Sequence, residues 1–447
     1  MSSNEFSGRR QSIHGIFFIS SFISIAVTIY FYIWLTTFEG FQVIRFRCYK
    51  LKFCSSLSQI LENRDLSHLP SIASILDPFY LFLPVQSSSL PIYQLKVDSK
   101  DYQSIVNQLP APFTVQFRNT PSPKIPGELS YDGKVYKVDI NFRGIGAPHW
   151  SEQKKSLRLS IKSGETLGGL DQVDLVIPSE SNYYGFFLNK WTADYLGLHT
   201  NELSLVHVYL NNRDYGPFVQ LDRWNQSFLE RRGLPNGLIF GDIDPSPDRP
   251  PLYQSPQSWK IYDSPPNTPS DFSAIEKLLT ALNHPNLQTS FSQLKQIIDM
   301  DNFVRWEALA IFFNTRHQDD FHNIRLFLNP VSGKLVFMPI DFGPQLVNNH
   351  PSDKTLLNID YNPLVSRLLQ DPEIYQARNN ALQGLVNNQE FQNKLWQQYD
   401  ELYSKTRGDF YRDPLNPESN LRFTWAVHQL KSQTQENIIA LKKLLSQ

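Results

Sequence analysis

The sequence predicts an α+β fold, with a mixed β-sheet in its N-terminal part, a mainly helical C-terminal part and one transmembrane helix ahead of both. Three observations carry that expectation. Residues 16–38 form a run of 23 residues without a charge, long enough to cross a bilayer as a helix. Between about residues 91 and 221 apolar and polar residues alternate in short stretches separated by turn residues, the period of half-buried strands. From residue 272 onward the apolar residues recur at the helical period, with one hairpin set among them.

Composition sets the bounds. At 447 residues, with 41% hydrophobic, 13% aromatic and 19% charged residues, the chain can bury a sizeable core and is not a disordered polymer. A net charge of −1 gives no overall basic field, so nucleic acid is not an expected partner. Cys48 and Cys54, the two cysteines, form neither a zinc pattern nor a disulfide framework.

Taken in order, a tail at 1–15 leads into the span at 16–38, flanked by Arg9 and Arg10 before it and by Arg45, Arg47, Lys50 and Lys52 after it. No small-residue cleavage site follows, so the span reads as an uncleaved single-pass anchor, which makes a membrane the expected location. The basic excess on its C-terminal side favours that side facing the cytoplasm, while Arg9 and Arg10 pull the other way, so the side stays open. Residues 39–90 are a juxtamembrane connector rich in Pro and Ser towards its end, and 91–447 is the globular part.

Tyr93, Leu95 and Val97 predict a first strand, and 98–109 a short helix stopped by Pro110. Val138, Ile140 and Phe142 alternate into a small-residue loop at 143–150, followed by a strand through Leu157, Leu159 and Ile161 with Lys154 and Lys155 at its start. Strand, glycine loop and Lys-bearing strand make a plausible phosphate cradle, because glycines let backbone N–H groups approach an anion. Further strands are expected at 174–177, 203–210 and 217–221, with helices at 184–196 and 224–232. Residues 242–269, rich in Pro, Asp and Ser, read as a surface excursion. Helices are then expected at 272–282 and 287–298, from Asp301, and through most of the chain after Gly343.

The chemistry concentrates at His317-Gln318-Asp319-Asp320-Phe321-His322-Asn323, followed by an apolar hairpin (324–328 and 334–340, turning at 329–333) and then Asp341-Phe342-Gly343. A hairpin returns on itself, so Asp319, Asn323 and Asp341 should converge. Two carboxylates and an amide at the mouth of a small sheet suit a hard cation such as Mg²⁺, which typically takes one or two protein carboxylates plus substrate phosphates. A His-x-Asp loop ending in Asn, a hairpin and Asp-Phe-Gly come in the same order in protein kinases.

Several of these segments together resemble the spore coat protein H (CotH) family of atypical, kinase-like proteins, from about residue 91 to about 402. The resemblance rests on Asn141-Phe142-Arg143-Gly144 and the 154–159 stretch KKSLRL, on 206–216 (VHVYLNNRDYG) continuing to Asp222, on 301–343, and on 362–369 (NPLVSRLL). It implies a reduced protein-kinase-like fold that binds ATP with Mg²⁺ (or Mn²⁺) and transfers phosphate to Ser or Thr of a protein substrate. Carried over by position, Arg143, Lys154, Lys155, Arg158 and Asp222 would serve the cofactor, with Lys154 or Lys155 on the phosphates and Asp222 as partner to a basic residue such as Lys155. Asn323 and Asp341 would bind the metal. Where the family has its acid, about five residues before the Asn, this sequence has Gln318, so the catalytic acid is Asp319 or Asp320, and the His317-x-Asp319 spacing favours Asp319.

The expected function is thus a membrane-anchored atypical protein kinase. A non-catalytic envelope or coat scaffold on the same fold is the alternative, and a hydrolase using Asp319 and Asp341 as acid and base is a third reading that gives Asn323 and the lysine pair no role.

Overall fold

A computed structural model describes residues 76–110, 121–243, 250–315, 317–342 and 362–446, with a few isolated residues besides. The apolar run at 16–38, apart from Ser24, Val27 and Thr28, lies outside the described residues, as do both cysteines, the connector up to residue 75 and Gly343. Among the described residues no helix is long and apolar enough to cross a membrane.

Seven strands close into a barrel: β1 (Ile92–Val97), β2 (Ile125–Tyr131), β3 (Lys134–Phe142), β4 (Leu157–Ile161), β5 (Gln172–Val176), β6 (Leu203–Leu210) and β7 (Arg213–Asp222), in the order β1-β2-β3-β4-β5-β7-β6. All neighbours are antiparallel except β1 and β6, whose parallel pairing closes the ring. Two tight hairpins set the register. Asp132-Gly133 joins β2 to β3 and Asn211-Asn212 joins β6 to β7, each with both central residues at positive φ, the backbone that two-residue hairpins require and that Gly, Asn and Asp best tolerate. Alternation then sends Leu129, Val138, Ile140, Leu157, Leu159, Val173, Leu175, Val208 and Phe218 into a fully buried barrel core. The sequence-based expectation of a mixed sheet holds, with closure added. Strand β2 was missed there because Pro126 and Gly127 blunt its β signal; Gly127 is needed, since a Cβ there would lie 2.8 Å from Ile140 Cδ1.

Two helices interrupt the barrel sequence: α1 (Ser99–Val106) after β1 and α2 (Gly185–Tyr195) after β5. After β7 come α3 (Gln226–Arg231) and then a second sheet of order β11-β10-β8-β9, from β8 (Leu238–Asp242), β9 (Trp259–Asp263), β10 (Arg325–Asn329) and β11 (Lys334–Phe337). This corrects the reading of 242–269 as a surface excursion: residues 259–263 pair with β8, and Leu252 and Tyr253 are buried beneath them. Helices α4 (Ser273–Leu282), α5 (Leu287–Ile297) and α6 (Met300–Phe312) precede the β10–β11 hairpin, and α7 (Pro363–Leu368), α8 (Pro372–Asn387), α9 (Gln389–Tyr411) and α10 (Asn420–Leu445) follow it. Their apolar faces share the largest core, in which α6, all but one of whose last eleven residues are buried, is the central rod.

Candidate active site

The site is built where the barrel overhangs the loop between α6 and β10. That loop is held by a polar network in the interior. Gln318, wholly buried, donates from Nε2 to the carbonyls of Ile340 (2.9 Å) and Asp341 (3.0 Å), tying the stretch before the hairpin to the stretch after it. Its own carbonyl accepts from Asn362 Nδ2 (3.0 Å), while Asn362 Oδ1 caps the N-terminus of α7. A buried carbonyl left unpaired costs about 1–3 kcal/mol, so these bonds fix the register of the two segments.

Of the predicted convergence of Asp319, Asn323 and Asp341, the contact of Asn323 with Asp341 is present, while Asp319 turns to Phe321 and His322 of its own loop. Asn323 Nδ2 donates to Asp341 Oδ2 at 3.3 Å and to the His317 carbonyl at 3.1 Å, and His317 Nδ1 stands 2.7 Å from the same Asp341 oxygen. Both Asn323 (φ 61°) and Asp341 (φ 57°) have left-handed backbone, which costs a non-glycine residue about 1–3 kcal/mol and persists where the surroundings over-determine it. Burial would raise the Asp341 carboxyl, but His317, then Arg143 and His149, outweigh it and hold the group below the ordinary carboxylate range. His317 is correspondingly raised: Asp341 outweighs the opposing effect of burial.

The two adjacent acids are used differently. Asp319 Oδ1 accepts from the backbone N–H of Phe321 (2.7 Å) and His322 (3.0 Å) and lies 2.8 Å from His322 Nδ1. Burial pushes Asp319 up, yet His322 and the N–H of Phe321 leave it below its usual value. Asp320 anchors a different segment: its carbonyl accepts from Leu252 N (2.7 Å) and its Oδ1 from Tyr253 N (3.3 Å), and burial raises its carboxyl.

The residues expected to serve a cofactor separate into two groups. Arg143 and Arg158 are at the cleft face of the barrel, both on Asp174 of β5. Lys154 is not: its ammonium is fully buried, 2.6 Å from Asp413 Oδ2 and 4.6 Å from the centre of the Phe218 ring, because its side chain runs inward to the segment after α9. Lys155 closes its own loop, donating to the carbonyls of Trp150 (2.8 Å) and Glu152 (2.5 Å), and burial lowers it to about 8. Asp222 pairs with Arg231 and with Arg232 (3.0 Å) and accepts from Glu202 N (2.9 Å), holding α3 to the end of β7, where the sequence-based expectation was a pair with Lys155.

Sequence reasoning did not single out Arg223, Asp174, His149 and Glu180, which complete the barrel side of the cleft. His149 Nε2 is 2.7 Å from Glu180 Oε1, and Arg143 reaches both (3.1 Å to His149 Nε2, 3.4 Å to Glu180 Oε2). His149 lies in the 143–150 loop; the other three had no local motif to mark them. Among the described residues no group of three or more His, Cys, Asp or Glu has the geometry of a preformed metal site. The donor set of Asp341 carboxylate and Asn323 amide nevertheless fits Mg²⁺, which keeps waters and substrate phosphates in the rest of its shell.

A family model described as CotH kinase protein matches residues 140–443. Inner spore coat protein H of Bacillus subtilis is 21% identical over 308 residues, which are 66% of this chain and 81% of that protein. Invasin CotH3 of Rhizopus delemar is 22% identical over 279 residues, 56% of this chain and 45% of that protein, so the chain spans about half of the invasin. A solved complex of HipA, HipB and operator DNA from Shewanella oneidensis aligns over 88% of this chain and 84% of that one at 10% identity, with a TM-score of 0.34, a level that carries no argument.

Proposed function

We propose that this chain, which belongs to the CotH family, is a membrane-anchored protein kinase that transfers the γ-phosphate of ATP to Ser or Thr of a protein substrate. The observation that carries the reading is the meeting of Asn323 and Asp341 from opposite ends of the β10–β11 hairpin, with Asp319 one short loop away. Asn323 and Asp341 would hold Mg²⁺ or Mn²⁺, which when bound neutralises charge on the phosphates. Asp319, ionised at neutral pH, is the group that would orient the substrate hydroxyl and accept its proton. His317 keeps the Asp341 carboxylate aimed into the cleft, and Gln318 locks the spacing of the two halves. The anchor is the uncharged run at 16–38, and ATP as cosubstrate suits placement of the domain in the cytoplasm.

The test is transfer of labelled phosphate by the full chain in detergent, with Mg²⁺ or Mn²⁺, to a generic protein acceptor. Label should appear with wild type and with Asp320→Asn, and vanish with Asp341→Ala and Asp319→Ala. A folded wild-type chain that transfers no label and binds no nucleotide would move the assignment to a second reading, a non-catalytic envelope scaffold. What favours that reading is that Asp319 and Asp320 both spend an oxygen on folding their own surroundings.

A further inference from the structure

After the connector, the described chain resumes at residue 76 with a stretch that is apolar on two sides. The inner side is accounted for by packing. Asp77–Tyr80 make one helical turn, Asp77 Oδ1 accepts from Asn420 N (2.8 Å) at the start of α10, and the Tyr80 ring meets that of Tyr411 at 5.0 Å. The Pro84 carbonyl accepts from Arg407 Nη2 (3.1 Å), and Val85 lies over Gly408, where a Cβ would stand 2.9 Å from Val85 Cγ2. Residues 77–85 are thus strapped across the end of α9 and the beginning of α10.

The outer side is bare. Leu76, Phe79, Leu81, Phe82 and Leu83 are all exposed, Phe79 at 66% and Phe82 at 85%. On the adjoining first turns of α10, Leu421 and Trp425 are exposed as well. Scattered exposed apolar side chains are ordinary, but five within eight residues, beside two more, make a patch that calls for a partner. Cations edge it. Arg412 Nη1 approaches the same Gly408 position as Val85 (3.2 Å from a Cβ there), Arg407 holds Pro84, and the Arg422 guanidinium lies 4.1 Å from the centre of the Trp425 ring, with Glu418 at 3.7 Å. Leucine and aromatic side chains with arginines at the rim are the composition of a surface that lies in the boundary between lipid headgroups and acyl chains.

Two other occupants are less well matched. The connector at 39–75 carries Arg45, Arg47, Lys50, Lys52 and Arg64 against Glu39, Glu62 and Asp65, so its basic excess opposes the arginine rim. A second copy joined through this patch would set the same three arginines against themselves. Chain order points the other way: the uncharged run at 16–38 precedes the patch with only 39–75 between them, so a bilayer held by that run is already within reach.

We propose that the outer side of 76–83, together with Leu421 and Trp425 of α10, docks on an anionic lipid bilayer, with Arg407, Arg412 and Arg422 meeting the headgroups. The proposal rests on the anchor reading for why a bilayer is near, and goes beyond it by giving the folded domain a membrane contact of its own. A single tether leaves a domain free to turn; a second contact fixes which way the cleft faces.

The experiment places a polarity-sensitive fluorophore on Phe82→Cys or, as control, on Ile439→Cys, an exposed position near the far end of α10. The full chain is used, with Cys48→Ser and Cys54→Ser, in vesicles of phosphatidylcholine and phosphatidylglycerol that carry a nitroxide on the acyl chains. Quenching should be severalfold stronger at position 82 than at 439, and should fall to the control level with Phe79→Asp and Trp425→Asp. Arg412→Gln should lower the ratio of docked to undocked domain about fivefold, the effect of one basic side chain near an anionic surface. Should the Asp variants unfold, the comparison of the two probes still decides. Equal quenching at both positions overturns the proposal. So does a Phe82 probe shielded from aqueous iodide without quenching by lipid, the sign that the connector or a second copy covers the patch. Extraction with alkaline carbonate separates the patch from the anchor. A chain that resists extraction and shows no quenching at 82 refutes the patch and keeps the anchor. One that is released, yet was quenched at 82 while bound, upholds the patch and sinks the anchor, and one that never associates with vesicles sinks both.

Discussion

Replacing Lys154 by Met separates a folding role from a cofactor role for the residue most exposed to confusion between them. The Lys154 ammonium is 2.6 Å from Asp413 Oδ2, with both side chains buried, and the pair joins residues 259 positions apart. Gly216 makes room for it: its φ is +71°, and a Cβ there would fall 2.1 Å from Asp413 Oδ1. Removing one partner of a buried pair strands the other charge, at a cost of about 3–5 kcal/mol. A folded unit of about 350 residues unfolds with an entropy near 0.7 kcal/mol/K, so the midpoint should drop by about 4–7 °C. The double variant Lys154→Met with Asp413→Leu should recover most of that, because an apolar pair of similar volume removes both desolvation penalties. The assay is thermal unfolding beside ATP affinity measured well below the transition. An unchanged midpoint with ATP affinity lost would refute the reasoning and return Lys154 to the cleft.

Glu307 is buried in α6 with neither carboxyl oxygen hydrogen-bonded among the described residues, and burial raises it to about 7, with Arg378 at 3.8 Å opposing the rise only in part. A raised carboxyl contributes stability that is present below its unfolded value of 4.5 and lost as pH climbs through about 7. Glu307→Gln should therefore match wild type near pH 4.5 and be more stable by roughly 3 kcal/mol at pH 8, read from paired unfolding curves; a gap that narrows with rising pH would contradict this. Gly144 has φ +76° and a Cβ there would lie 2.1 Å from His149 Cδ2, so Gly144→Ala should push His149 and Arg143 out of the cleft and weaken ATP binding at least tenfold in a titration. Gln318→Leu leaves the carbonyls of Ile340 and Asp341 without their donor. The phosphate-transfer rate should fall about 10- to 100-fold, while a fall confined to thermal stability would deny Gln318 its part in positioning.

What the sequence made legible was local. The β10–β11 hairpin could be read because its two apolar runs and the turn at 329–333 lie within seventeen residues, and Asn329 does pair with Lys334. Once that hairpin stands, Asn323 and Asp341 must approach each other. The two-residue turns at Asp132-Gly133 and Asn211-Asn212 are equally local, since a positive φ at both positions leaves few residue choices. Strand β9 was hidden because Pro, Ser and Asp surround it and its partner β8 gives no short-range turn signal. The parallel closure of β1 on β6 joins segments with four strands of chain between them, and no periodicity encodes that. Lys154 shows the same limit at a single side chain: paired lysines at a strand start are usually solvated, and only Asp413 explains why this one is not.

The choice between Asp319 and Asp320 turns on what each carboxyl already does. Asp320 supplies a carbonyl and a carboxylate oxygen to successive N–H groups at 252–253, and so braces the loop against the buried Leu252 and Tyr253. Asp319 folds its own loop entirely through Oδ1, and His322 with the Phe321 N–H more than offsets burial, keeping it ionised at neutral pH. An ionised carboxylate with its loop contacts on one oxygen can present the other to a hydroxyl without dismantling the loop that carries it. Asp320 puts its Oδ1 on the N–H of Tyr253, whose hydroxyl meets Asn362, the same residue that holds Gln318 in place. The network that fixes the Asn323–Asp341 pair thus also reaches both acids, and phosphate transfer by Asp319→Ala beside Asp320→Asn decides between them.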